Sequence, residues 1–213
     1  MLGDCIVGYW DYHVIPPRRR LLHGELFDLL VSWAALTLAF GASYIIQRSI
    51  IGLGISAIAV ATAFVFHEIA HREVARRYGF IAKYKAWYMG LALAVALALI
   101  TAKAIGRPFV IAAPGAVVIS SYLGSPPPQV FVKIAAAGPL ANIIVGVLFS
   151  IASFTAGHPW DLYLSFIGSV NLWIAFFNLI PIPPLDGSKI IRYSFTTWLA
   201  LFILAMVLYF VIF

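Results

Sequence analysis

Between Ile50 and Phe66 the chain carries no charged residue, and the run ends in His67-Glu68-Ile69-Ala70-His71. An uncharged stretch of this length reads as a membrane helix. Two imidazoles and a carboxylate at its end are costly in a bilayer unless something engages them. His67 and His71 are four apart, so on a helix they project from one face and can grip a single ion. Glu68 lies one step round, placed to act on a water at that ion without being a ligand itself.

The rest of the composition agrees with a bilayer. Of 213 residues, 63% are hydrophobic and 10% charged, whereas a soluble domain carries roughly 25% charged residues. The net charge of +6 does not point to nucleic acid, because the basic residues sit in short clusters beside apolar runs. The positive-inside rule accounts for that pattern. Cys5 is the single cysteine, which excludes an internal disulfide and a cysteine-built zinc site. Residues 1–25 hold Asp4, Asp11, Arg18, Arg19, Arg20 and Glu25 and no apolar core, so no cleavable signal peptide is expected.

In chain order, residues 1–25 form a polar, aromatic lead, and Arg18-Arg19-Arg20 puts the N-terminus on the cytoplasmic side of a cell membrane. A single membrane domain is expected from 26 to 213, with its core at 50–190. Six apolar segments suit helices: Leu26–Ile46, Ile50–His71, Ala86–Ile105, Val130–Thr155, Leu162–Ile180 and Phe195–Phe213. The fold class is therefore membrane all-α, a polytopic bundle of about six segments. Arg72, Arg76, Arg77, Lys83 and Lys85 against Glu73 read as a solvated helix end on the inner face. Gly106 to Ile119 holds Pro108, Pro114-Gly115 and a Val/Ile run, which favours strand–turn–strand. Ser125-Pro126-Pro127-Pro128 reads as a stiff linker.

Counting crossings constrains this middle region. Lys133, Lys189 and Arg192 place Asp186 on the inner side with His67, so residues 86–123 should enter and leave on one side. Either the apolar run crosses and the extended segment returns, or both dip in as a re-entrant unit. Non-helical backbone at membrane depth must pack on protein or line a wet cavity. A re-entrant β-hairpin beside the metal site is therefore expected.

A catalytic zinc takes three protein ligands and keeps one open position. His13 and His23 lie in the lead and His158 in an outer loop; Asp4, Asp11, Glu25, Asp28 and Asp161 sit in tails, span starts or loops. Asp186 instead follows a helix broken by Pro181, Pro183 and Pro184, with Gly187 giving the backbone room to turn it inward. Asn178 and Asn142 are candidates for binding the substrate backbone or an oxyanion, and Asn171 is a weaker one. Each could equally serve as a hydrogen bond between helices.

The chain resembles the site-2 protease family of intramembrane zinc metalloproteases. Three motifs carry the likeness in order: His67-Glu68-Ile69-Ala70-His71; Ala137-Gly138-Pro139-Leu140-Ala141-Asn142; and Asn178-Leu179-Ile180-Pro181 running into Leu185-Asp186-Gly187. The resemblance implies that His67, His71 and Asp186 bind one Zn2+ and that Glu68 is the general base. It also implies a re-entrant β-structure after the metal-binding helix, with Phe109–Ile119 as its counterpart. The expected activity is hydrolysis of peptide bonds within or near transmembrane segments of membrane proteins, whose unwound strand could pair with the edge near 109–119. Ala86–Ile105 is longer than a minimal family core requires. The 213 residues include no PDZ or CBS segment, so substrate selection is expected to rest on the membrane core or on partners. The alternative is a non-catalytic metal-binding membrane protein, a transporter or binding chaperone. Oligomeric state is not legible.

Overall fold

The computed structural model describes residues 22–111, 114–120 and 126–213. Arg18-Arg19-Arg20, Cys5, His13 and nearly all of the expected lead lie outside the described residues. Helix α1 spans Leu22–Phe40 and a short α2 spans Ala42–Ile46. Ser49 then caps α3 (Ile50–Val60), its hydroxyl accepting the Gly52 N–H at 3.1 Å. Helix α3 runs without a break through a π turn, Ala61–Val65, into α4 (Phe66–Arg77). The end of α4 is tied off by Phe80 N–H to Ala75 C=O and Gly79 N–H to Arg76 C=O, the paired bonds of a Schellman stop.

Strand β1 (Ile81–Ala86) follows directly, turning Ala82, Tyr84 and Ala86 inward. Lys83 and Lys85 thus belong to a strand rather than to the helix end expected for them. After α5 (Tyr88–Ile105) the chain returns to form β2 (Gly115–Ser120), which pairs antiparallel with β1 from Ile81↔Ser120 to Ala86↔Gly115. The Gly106–Ile119 stretch therefore supplies one strand among the described residues, and its partner lies before α5 rather than beside it in sequence. The lengths permit this. Eighteen helical residues in α5 cover about 27 Å, and the segment 106–114, fully extended, covers about 30 Å. Phe109 N–H donates to Thr101 Oγ1 at 2.8 Å, so the return path runs back along α5.

Helix α1 closes the other edge of β1. Glu25 accepts the Tyr84 N–H at 3.3 Å and Asp28 the Ala86 N–H at 3.1 Å. These carboxylates, one turn apart, stand in for a neighbouring strand. Asp28, at the start of the first expected segment, also accepts the Tyr88 hydroxyl.

Helix α6 (Pro128–Thr155) runs for 28 residues, with Pro128 in its first turn, where a missing N–H costs nothing. It packs on α4 and on α7 (Trp160–Asn178). A proline-rich turn then leads to α8 (Asp186–Tyr193) and α9 (Phe195–Ile212). One apolar core joins α1, α3, α5 and α7; a second joins α6, α7, α8 and α9. Five helices among the described residues are long and apolar enough to cross a membrane: Ile50–Arg77, Tyr88–Ile105, Pro128–Thr155, Trp160–Asn178 and Phe195–Ile212. The other expected segment, Leu26–Ile46, forms α1 and α2 and is not among the five. Ile50, Phe154 and Val211 are 87%, 79% and 77% exposed, an outward apolar surface suited to lipid and not to water.

Candidate metal centre

Helix α4 turns His67 and His71 toward the start of α8. His67 Nε2 and His71 Nε2 lie 3.0 Å apart, and Asp186 Oδ2 lies 3.1 and 3.0 Å from them. All three residues are buried. They form the one cluster among the described residues whose ligand atoms converge as a metal site requires. Tetrahedral zinc, with bonds of about 2.0–2.1 Å, separates its ligand atoms by roughly 3.3 Å, so this triangle is close to the size the ion needs.

Two glycines make the convergence possible. A Cβ on Gly138 of α6 would sit 2.3 Å from His71 Nε2 and 2.6 Å from His67 Nε2. A Cβ on Gly187 would sit 2.1 Å from the Leu179 carbonyl oxygen, so glycine alone lets α8 start against the end of α7. That carbonyl also accepts the Trp198 indole N–H at 2.8 Å, which satisfies a helix-end acceptor.

Each potential ligand has a second partner. His71 Nδ1–H donates to the Ile134 carbonyl at 2.7 Å, leaving Nε2 as the lone-pair nitrogen. The side-chain amide of Asn142, fully buried, lies 3.2 Å from His67 Nδ1. Lys189 Nζ donates to Asp186 Oδ1 at 2.8 Å. Burial alone would push the Asp186 carboxyl up. The Lys189 ammonium and the imidazoles outweigh it and hold the carboxyl well below the usual range, so it is ionised, as a ligand must be.

Glu68 lines a cavity of about 910 Å³ together with His67, His71, Asp186 and Asn178. Its Oε2 is buried with no hydrogen-bond partner, an arrangement that awaits a donor. The wall is otherwise mostly apolar, from Phe64, Trp173, Phe177 and Val117. Asn178 faces this space, donating one N–H to the Ile174 carbonyl at 3.0 Å. Asn142 does not line the cavity; it stands behind His67. Asn171 is further off, donating to Thr62 Oγ1 at 3.0 Å and tying α7 to the π turn. Tyr84 lines a small pocket together with Glu68. Burial, and then the Glu68 carboxylate, push its phenol above the usual range.

Residues 154–213 match peptidase family M50. A Methanocaldococcus jannaschii protein, provisionally named a zinc metalloprotease, is 40% identical over 182 residues, covering 84% of this chain and 89% of the relative. The chain belongs to peptidase family M50. This is the site-2 protease family anticipated from the motifs. No solved structure matches the chain at a significant level. As an M50 peptidase the protein is a zinc metalloprotease with protein substrates, and its five apolar helices make it a multi-pass membrane protein. The donor set fits that metal: two imidazole nitrogens and one carboxylate oxygen are the ligands of many catalytic zinc sites. Sequence reasoning missed Lys189 as a partner of Asp186 and the grip of Glu25 and Asp28 on β1. Lys189 carried a signal, since it lies three residues after Asp186 at helical spacing.

Proposed function

We propose that this M50 peptidase hydrolyses peptide bonds within or beside the transmembrane segments of membrane proteins. His67, His71 and Asp186 hold one zinc ion and Glu68 is the general base. The observation that carries the reading is the partnerless Glu68 Oε2 beside the three converging ligand atoms, on the wall of a largely apolar cavity. Zinc bound there supplies Lewis acidity, lowering the pKa of a water and polarising the scissile carbonyl. Glu68 takes the proton of the attacking water and returns it to the leaving amine. Asn142 orients His67: with its amide turned so that the partnerless Oδ1, rather than Nδ2, faces the ring, it accepts the Nδ1–H and keeps Nε2 free for the metal. This replaces the substrate-binding role expected for Asn142. Asn178, on the cavity wall, retains that role toward substrate backbone or oxyanion.

A substrate helix must unwind, because a helix hides its carbonyls. The freed strand then adds to the outer edge of β2, since α1 occupies that of β1. The chain from 26 to 213 acts as one domain. Its α1–α2 unit forms a sixth segment, and the β1–β2 pair dips beside the site. Basic residues gather at the site's end of the bundle, where Lys133 Nζ donates to the Tyr78 hydroxyl at 3.1 Å. This supports a site near the cytoplasmic edge of the cell membrane.

The test is cleavage of a single-span model substrate by detergent-purified protein beside Glu68→Gln, with bound zinc quantified in both. Wild type should cleave and the variant should not, each retaining one zinc. A variant that still cleaves sinks the role of Glu68, and a wild type without zinc sinks the ligand set.

A further inference from the structure

Asp186 presents its two carboxylate oxygens to different neighbours. Oδ2 lies 3.1 and 3.0 Å from the imidazole nitrogens, and Oδ1 accepts the Lys189 ammonium at 2.8 Å. The two residues are one turn apart on α8, which holds the pair in register on a single rigid element. Asp186 and Ile190 bury that face of the helix, while the Lys189 side chain is one-third exposed and reaches along the cavity wall.

We propose that Lys189 is a positioning residue that keeps Asp186 a one-oxygen ligand. A carboxylate can bind a metal through one oxygen or both. With two histidines already present, the second oxygen would occupy the position a catalytic zinc needs open. Lys189 engages that oxygen and directs it away from the ligand triangle. Its ammonium also sits beside a cationic centre, which by charge alone weakens metal binding. The residue therefore serves geometry rather than affinity. This inference rests on the ligand assignment proposed above.

The experiment replaces zinc by cobalt(II) and records the visible absorption of wild type, Lys189→Met, Lys189→Arg and Asp186→Asn, with metal content and single-span substrate kinetics. Lys189→Met should keep one cobalt per chain, with an absorption shifted from that of wild type as the second carboxylate oxygen enters the open position. Its kcat should fall about 10- to 100-fold with KM little changed, because the open position serves chemistry and not substrate docking. Lys189→Arg, which can donate to the same oxygen, should restore the wild-type spectrum and most of kcat. A Lys189→Met protein with wild-type absorption and kcat would overturn the proposal, and so would loss of its cobalt. A wild-type spectrum in Asp186→Asn would overturn the ligand assignment, and this inference with it.

Discussion

At the scale of single residues, the site depends on a hydrogen atom where any other residue has carbon. Helix α6 can approach both imidazoles only because Gly138 lacks a Cβ, and the methyl of an alanine there would meet His71 Nε2 at 2.3 Å. Gly138→Ala is expected to displace at least one histidine, with overpacking costing about 1–3 kcal/mol. Zinc content should fall well below one per chain while circular dichroism keeps its helical signature. Full zinc occupancy in Gly138→Ala would mean that α6 yields rather than the histidines. The three asparagines divide by surroundings rather than by type. Asn142 meets a ring nitrogen, Asn171 a threonine hydroxyl and Asn178 the cavity. Nothing in their spacing along the chain separates those roles.

At the scale of elements, the π turn Ala61–Val65 sits immediately before His67. It adds a residue to one turn and so sets the angle at which α4 presents the histidines relative to α3. Thr62 holds it from both sides, donating to the Ile58 and Ala59 carbonyls and accepting from Asn171. Strand β2 shows a second element-level constraint. Trp87 N–H bonds to the Pro114 carbonyl at 2.8 Å, so with antiparallel alternation Ala116 and Val118 point their amides at β1 and Val117 points its amide outward. Val117→Pro should therefore spare the β1–β2 pair and remove one donor from the open edge. Cleavage of a membrane substrate should drop several-fold at least, with zinc content and unfolding temperature near wild type. Unchanged turnover in that variant would argue against strand addition at β2.

At the scale of the molecule, α5 links the two ends of the bundle. It leaves the site's end after Ala86, and Gly106 at its far end has its carbonyl within 3.3 Å of the Ser43 hydroxyl, beside the turn at 47–49. Single cysteines at Lys103 and Arg107, in a Cys5→Ser background, are expected to react with an impermeant thiol reagent from the outer face. A cysteine at Lys83 should react from the inner face. Labelling of all three from one side would mean that α5 does not cross.

Local chemistry made much of this legible before any coordinates. Uncharged runs long enough for a bilayer, the four-residue spacing of His67 and His71, and a proline-broken helix ahead of Asp186 each express a short-range rule. The fold brings His67 and His71 within 3.1 Å of Asp186 across more than a hundred residues of chain. Three features followed only from tertiary structure, and a fourth, hinted at by helical spacing, was decided by it. Strand β2 pairs with a strand on the far side of α5, because two segments equal in length to an outward and a return path cannot be recognised as partners from either alone. Glu25 reads as part of the lead and Asp28 as a span-start carboxylate until the open edge of β1 lies beside them. Asn142 stands behind a histidine and not before a substrate, since helix packing decides which way its side chain faces. Lys189 reads as a basic residue of the inner surface until Asp186 turns one oxygen toward the histidines and leaves the other to be held.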